Sequence, residues 1–249
     1  MSVVNSNIKA LVASQALKVS EKSLGTAMER LSTGRRINSA ADDAAGLAIG
    51  NKMATQIRSL NQAVRNANDG ISMIQTAEGA AEGITNLLIR MRELSVQATN
   101  GTNSTSDKTA LQSEFSSLQT EITRISDKTT WNGVALIGAD AGSVAYQIGV
   151  DGSTSDQVTV TFKDLNSGTS FATAVASTTS ATATTSITHI DDAISALDAF
   201  RSDLGAKINR LTYAADNLTN IATNTAASRS RIVDTDYAQT TSELARAQI

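Results

Sequence analysis

Apolar residues recur along most of this chain in alternating steps of four and three positions, which is the spacing of a coiled-coil seam. The longest run predicts one helix from Ala44 to Thr99, capped by Asp42 or Asp43. Its core positions are Met53, Ile57, Leu60, Val64, Ile71, Ile84, Leu87 and Met91. Beyond Ile74 the seam is predicted to move by one position, so that each half of the helix would face a different neighbour.

A separate helix is predicted before the long one, from about Asn5 to Thr33. Asn7 can cap its start, because a side-chain amide oxygen accepts from the free N–H groups of a first helical turn. Gly34 favours its end, since glycine tolerates the left-handed conformation found there. Apolar residues recur in this helix every seven positions, at Leu17, Leu24 and Leu31.

Two more helices are predicted after the long one. The third follows a polar loop at 100–106, and its core positions are Leu111, Phe115, Leu118 and Ile122. The last begins near Ile187, and its core positions are Ile194, Leu197, Leu204, Leu211 and Leu218. Because the loop before the third helix is short, that helix is expected to run antiparallel to the long one.

The helical pattern stops in the middle of the chain. Alternation of large and small residues over 144–148 and 158–162 predicts a β-hairpin with one half-buried face. Residues 166–186 are rich in Ser, Thr, Ala and Gly without a clear period, which is typical of an exposed segment.

Together these patterns predict a mostly α fold. We expect an elongated bundle of long, antiparallel, coiled-coil-like helices with a small β-hairpin insert. The predicted divisions are a terminal helix and connector at 1–43, a helical rod made of 44–137 with 187–235, a β-hairpin and variable segment at 138–186, and a C-terminal region at 236–249.

The composition lacks residues that several kinds of catalytic and metal site require. The 249 residues contain no proline, no cysteine and one histidine, and 3% are aromatic. Absence of proline permits very long helices, because proline removes a backbone donor and clashes with the preceding turn. Without cysteine, thiolate metal sites and cysteine nucleophiles are excluded. No catalytic constellation, metal site or cofactor motif is found, so we predict none of them.

Charge does not indicate nucleic acid or a membrane as a partner. The net charge is −3, and the basic residues of the first quarter have no interleaved aromatic residues on which bases could stack. No stretch approaches the roughly 20 apolar residues of a membrane span. The basic side chains are interpreted as solvated helix faces.

Several segments near both ends of the chain resemble bacterial flagellins. The matching segments are 30–49, 66–78, 90–97, 131–134, 228–237 and 243–249. The segment at 30–49 resembles the N-terminal signature of that family, and the last two resemble the start of its C-terminal region. About 138–186 carry no resemblance, as expected for the variable part of a flagellin.

The resemblance implies a secreted structural subunit that polymerises with other copies into the extracellular flagellar filament used for swimming. It implies that the two termini form an inner core and that the middle helices form a second layer. It also implies passage through the flagellar type III export apparatus with a chaperone, and contact with filament cap and hook-junction proteins. An enzyme is not expected.

Three residues match positions at which flagellins of this type contact the host Toll-like innate immune receptor. They are Arg90, Leu94 and Glu114, and the segment around the first two also serves packing between filament subunits in the family. Their roles are therefore implied by the resemblance. The spacing shows only that Arg90 and Leu94 are one helical turn apart.

The chain also departs from the family. Flagellins normally continue beyond the position of Ile249 with an apolar helix that packs on the terminal helix and binds an export chaperone. The face carrying Leu17, Leu24 and Leu31 is therefore expected to lack its partner. We accordingly expect this 249-residue form to stay monomeric or to assemble poorly.

Other readings remain. A hook–filament junction protein has similar helical termini, although the segment at 30–49 favours the filament protein. A signalling coiled coil of the chemotaxis-receptor type would need an uninterrupted hairpin, and the β insert argues against it. An enzyme is the weakest alternative.

Overall fold

The computed structural model describes residues 7–164 and 183–249. Its helices are α1 (Ile8–Thr33), α2 (Ala44–Thr99), α3 (Thr105–Lys128), α4 (Ala183–Val233) and α5 (Tyr237–Gln248). Its strands are β1 (Thr130–Trp131), β2 (Val134–Ala135), β3 (Ser143–Gln147) and β4 (Gln157–Thr161). The predicted mostly α fold with a small β-hairpin is confirmed. Most of the segment predicted at 166–186 lies outside the described residues.

Helix ends coincide with residues that satisfy free backbone groups. The Asn7 side chain accepts from the Ala10 N–H at 3.1 Å, and Gly34 ends α1 in the left-handed conformation. The Asp43 carboxylate accepts from the Gly46 N–H at 2.8 Å, ahead of α2. Ser104 starts α3 with a reciprocal capping box to Asp107. These caps explain why α2 has the predicted bounds.

The chain forms two compact units. The first contains the residues up to 61 and from 219 onward. In it α1 packs against α5, and a β-bridge joins Arg35 to Asp234. The Thr235 N–H donates to the Gly34 carbonyl at 3.1 Å. These contacts lie beside the break between α4 and α5, where the Asp236 carboxylate caps the new helix.

The second unit contains residues 62–218. Its core combines side chains of α2, α3 and α4 with one face of the β3–β4 hairpin. Within it α2 and α4 run antiparallel, because Arg92 pairs with Asp191 while Glu78, earlier in α2, pairs with Arg201, later in α4. This agrees with the antiparallel arrangement expected for the helices.

The buried stripe of α2 in the second unit differs from the predicted one. It runs without interruption in steps of four and three, so the predicted one-position shift is wrong. Its members are Ala63, Ala67, Gly70, Ile74, Ala77, Ala81, Ile84, Leu88, Met91, Ser95 and Ala98. Small residues hold several of these places, because they let neighbouring elements approach the helix backbone closely. The predicted seam followed the bulky apolar residues and therefore included flanking, half-buried positions such as Leu87.

The predicted core positions fall into two groups. Those that the structure buries are Leu60, Ile84, Met91, Phe115, Ile122, Leu197, Leu204, Leu211 and Leu218. Those that lie half-buried are Met53, Ile57, Val64, Ile71, Leu87, Leu111, Leu118 and Ile194. The sequence analysis omitted Leu88, Ala193 and Phe200, which are all buried.

The β3–β4 hairpin packs on α2 through Tyr146. Val144 pairs with Val160 and Tyr146 with Val158 across the antiparallel strands. The buried Tyr146 hydroxyl donates to the Met73 sulfur at 2.7 Å. A second, two-residue hairpin, β1–β2, was not predicted as strands. It turns at Asn132 and Gly133, both with positive φ, which is the conformation an Asn-Gly hairpin turn requires.

Alkaline pH is expected to weaken the second unit through Tyr146. Burial raises the pKa of this phenol to about 12, whereas an exposed tyrosine titrates near ~10. Because the pKa is raised in the folded state, the stability contributed by the buried, protonated phenol is fully present below about pH 10. It is lost as the pH rises towards 12. We expect the unfolding free energy to fall in this window and the fall to be smaller in Tyr146→Phe. Denaturant titrations at each pH measure it.

Tyr213 provides the matched control, because its side chain is exposed in the same unit. Tyr213→Phe should keep the alkaline loss of stability seen in the unmodified chain. An equal slope in the Tyr146→Phe variant would show that ionisation of Tyr146 is not its cause.

Candidate inter-subunit and receptor-contact surface

Arg90 lies on the exposed face of α2 and is held there by two carboxylates. Its Nε and Nη2 donate to Glu114 Oε1 at 2.9 and 2.8 Å, which joins α2 to α3. Its Nη1 donates to Glu93 Oε2 at 3.0 Å, one turn along the same helix. Arg90 is therefore fixed in direction while its side chain remains 48% exposed.

The electrostatic effect of this arrangement is to keep the guanidinium charged. The hydrogen bonds that Arg90 donates to Glu114, and then to Glu93, raise its pKa above the usual value. Exposed ion pairs contribute little to stability, because water screens them and ordering the side chains costs entropy. The network therefore orients charge on the surface more than it stabilises the fold.

Apolar side chains flank this charged network. Ile89 and Val96 are 45% and 47% exposed, and two helical turns separate them on the same helix. With Arg90 and Glu93 they form a mixed surface that we call the α2 outer face, defined as Ile89, Arg90, Glu93 and Val96. Large exposed apolar side chains among oriented charges are typical of protein-contact surfaces.

Leu94 was assigned a contact role by the family resemblance, but it lies in the core. Its side chain is 1% exposed and packs in the core of the second unit. It cannot offer that side chain to a partner, since positions 91, 94, 95 and 98 all face inward. The structure thus brings Arg90 and Glu114 together at the surface and places Leu94 beneath them.

Three members of the α2 outer face were missed in the sequence analysis as contact residues. Glu93 could have been found, because it stands three positions after Arg90 and can form a pair on a helix. Val96 could have been found because it lies off the apolar seam. Ile89 lies off the seam as well.

In the first unit, α1 exposes large apolar side chains on more than one side of the helix. Its large apolar side chains are between 57% and 69% exposed. They are Ile8, Leu11, Val12, Leu17, Val19 and Met28. Leu24 and Leu31, also predicted on this helix, lie half-buried.

Across residues 7–164 and 183–249, no group of three His, Asp or Glu side chains could hold a metal ion. None of the helices described combines the length and apolar composition required to cross a membrane.

Comparison with known proteins identifies the family. Residues 4–140 match the bacterial flagellin N-terminal helical region, and residues 187–249 match the bacterial flagellin C-terminal helical region. A flagellin of Halalkalibacterium halodurans is 42% identical over 99% of this chain and 91% of its own length. Polar flagellin F of Vibrio parahaemolyticus is 33% identical over 99% of this chain and 93% of its own length.

A solved structure agrees with these matches. The crystal structure of Bacillus cereus flagellin superposes with a TM-score of 0.55 at 32% identity. The superposition covers 66% of this chain and 94% of the other. Since the matched regions extend over both helical parts and the curated relative spans nearly the whole chain, this protein belongs to the bacterial flagellin family of structural filament proteins.

Proposed function

We propose that this chain is the subunit that polymerises into an extracellular flagellar filament and so supports swimming. The observation that carries the proposal is the number of large apolar side chains exposed on α1. A soluble monomer rarely exposes so many large apolar side chains on one helix, because each of them gains free energy when another surface covers it. In a filament, neighbouring copies of the same chain would supply that cover through contacts that do not close into a ring.

The α2 outer face is proposed as a second contact between subunits. Its apolar members would be buried against a neighbouring copy, while Arg90, Glu93 and Glu114 would set the register through complementary charge. The same proposal includes the predicted division of the chain. Residues 1–43 would be the inner part, 44–137 with 187–235 the rod, 138–186 the variable segment and 236–249 the C-terminal part.

Delivery and capping partners follow from the proposed role. The flagellar export apparatus and a chaperone would bring the chain out of the cell, and filament cap and hook-junction proteins would contact it at the two ends of the polymer.

An experiment on α1 tests filament formation. Cells lacking the gene would be complemented with the unmodified chain, with Leu17→Asp, or with Ser14→Asp. Leu17 is 65% exposed, and Ser14 is an exposed polar position on the same helix. We expect electron microscopy to show filaments with the unmodified chain and Ser14→Asp, and few or none with Leu17→Asp, because a buried unpaired charge opposes association.

The result also separates rival roles. Filaments in cells that lack the gene would contradict the proposed role, and labelling confined to the base of the filament would indicate a junction protein.

The host Toll-like receptor for flagellin is proposed to bind at Arg90 and Glu114. Arg90→Glu would place three acidic side chains close together and reverse the sign of the receptor-facing charge. We expect receptor activation to fall at least tenfold, roughly 1.4 kcal/mol in binding, with little change in melting temperature. A reporter-cell assay with purified chain measures it.

Arg124→Glu is the matched control. Arg124 forms an exposed pair with Glu121 on α3, three residues away. This reversal is expected to leave receptor activation unchanged. If both reversals reduced activation equally, overall charge would be responsible and Arg90 would have no specific role.

A further inference from the structure

A cleft between α1 and α5 in the first unit gathers cations that lack partners. The cavity is about 500 Å³ in volume, within the usual range for small-molecule sites. From α1 it is lined by Lys22, Thr26 and Arg30, which follow one another at four-residue intervals on one helix face. From α5 it is lined by Glu243 and Arg246.

The charge of this cleft is unbalanced. Three basic side chains line it with one carboxylate, and that carboxylate already accepts from the Gln239 amide at 3.1 Å. Among the described residues, no hydrogen bond or ion pair engages the side chains of Lys22, Arg30 or Arg246. The Arg30 Nε is shielded from solvent and has no hydrogen-bond partner in the described part of the chain.

Arg30 does feel one negative charge within the unit. Its positive charge helps to lower the pKa of Asp42, although backbone hydrogen bonds from Ser39 and Asn38 lower it more. The Asp42 carboxylate is occupied by those groups, accepting from the Ser39 N–H at 2.9 Å. Asp42 does not line the cleft, so the lining itself keeps its excess of positive charge.

A neighbouring cavity provides an internal comparison. It is about 340 Å³ in volume and shares Arg30 and Glu243 with the cleft. Its charged lining is balanced, since Arg30, Arg36 and Arg231 face Asp234, Asp236 and Glu243. Of these two cavities in the described part of the chain, the cleft of Lys22, Arg30 and Arg246 is the one with an excess of positive charge.

From these features we infer that the cleft between α1 and α5 binds a phosphate group. Guanidinium groups recognise phosphate oxygens through paired N–H donors, and a lysine ammonium adds a point charge. The Ser23 and Thr26 hydroxyls, which also line the cleft, can supply further donors. Because the cations come from both helices, a bound phosphate would hold α5 against α1, next to the existing Ser20 hydroxyl bond to the Ala247 carbonyl at 3.1 Å.

Calorimetric titration of the full chain with inorganic phosphate, at constant ionic strength set by chloride, tests the inference. We expect saturable binding by the unmodified chain and at least a tenfold loss of affinity in Arg30→Gln. Lys9→Gln is the matched control, because Lys9 is an exposed cation on α1 that does not line the cleft. It should bind like the unmodified chain.

A second variant, a hydrogen-exchange measurement and a second phosphate ligand complete the test. Lys22→Gln serves as a second variant should Arg30→Gln lose helical circular dichroism, since Lys22 is exposed, and it should weaken binding several-fold. Hydrogen exchange of α5 should slow in phosphate. Glycerol phosphate in a parallel titration distinguishes free phosphate from a phosphate group carried on a larger molecule, and binding of either at this cleft supports the inference.

Two outcomes would overturn it. One is the absence of saturable binding by the unmodified chain. The other is an equal response of Lys9→Gln and the cleft variants, which would show a general effect of salt.

Discussion

Replacing Gly70 with leucine is expected to destabilise the second unit by about 1–3 kcal/mol, the usual range for overpacking a close contact. A Cβ at this position would lie 3.0 and 3.1 Å from the Tyr146 ring and 3.2 Å from a Leu211 methyl. The Tyr146 ring cannot move aside freely. Its hydroxyl is bonded to Met73, and the neighbouring Gln147 carbonyl accepts from the Asn66 amide at 3.0 Å.

We expect the leucine side chain to push the β3–β4 hairpin away from α2. Denaturant unfolding followed by the fluorescence of Trp131, the single tryptophan, measures the loss in the unit that contains both elements. Hydrogen exchange should also quicken in β3 and β4. If exchange of these strands were unchanged, the hairpin would not depend on the open space at Gly70.

Gly79 is the matched control on the same helix. A Cβ there meets nothing within 4 Å. Gly79→Leu should therefore leave stability unchanged or raise it by up to ~1 kcal/mol, because leucine favours helix over glycine. The two substitutions are chemically identical, so opposite signs would locate the effect in the hairpin contact.

The second large effect is expected for Leu88→Ala. This side chain is fully buried in the continuous seam of α2. Its truncation removes buried methyl groups and leaves a cavity among tightly packed neighbours, which typically costs about 2–5 kcal/mol. The same unfolding measurement gives the value.

Leu87→Ala tests the seam register by direct comparison. Leu87 was the position expected from the sequence, but it lies only half-buried beside the seam. Its truncation should cost about half as much or less, since less apolar surface is removed from the core. A larger loss at Leu87 than at Leu88 would contradict the register of the structure.

The bounds of α1 and α2 could be predicted closely because local chemistry sets them, whereas α4 begins four residues before the predicted Ile187 and the break before α5 was not predicted. Asn7, Asp43 and Ser104 accept backbone hydrogen bonds at helix starts, and such residues are recognisable without tertiary contacts. The β3–β4 hairpin was equally readable, since its alternation of large and small residues reflects one buried face.

The exact seam of α2 could not be predicted in the same way. Gly70 and Ser95 are buried, yet neither is a large apolar residue from which burial would be predicted. Small residues are chosen there by the closeness of neighbouring elements, which only the fold reveals. A pattern drawn through the largest apolar residues was therefore displaced onto Leu87 and Ile71.

The candidate contact surface shows the same division. Arg90 and Glu114 could be named from the family resemblance, but their hydrogen bond joins two helices and depends on how α2 and α3 pack. Leu94 lies one turn from Arg90 and was expected beside it at the surface. The packing of the second unit instead turns Leu94 into the core.

The sequence by itself determined that the chain is mostly helical, where α1 and α2 begin and end, and which family it belongs to. Those properties depend on local capping, on periodic apolar positions and on contiguous motifs, all of which are readable along the chain. Tertiary structure alone decided which small residues of a helix face the core and which charged side chains meet across helices. It also decided where unpaired cations gather between α1 and α5. These depend on distances between residues far apart in sequence, and side-chain type does not encode such distances.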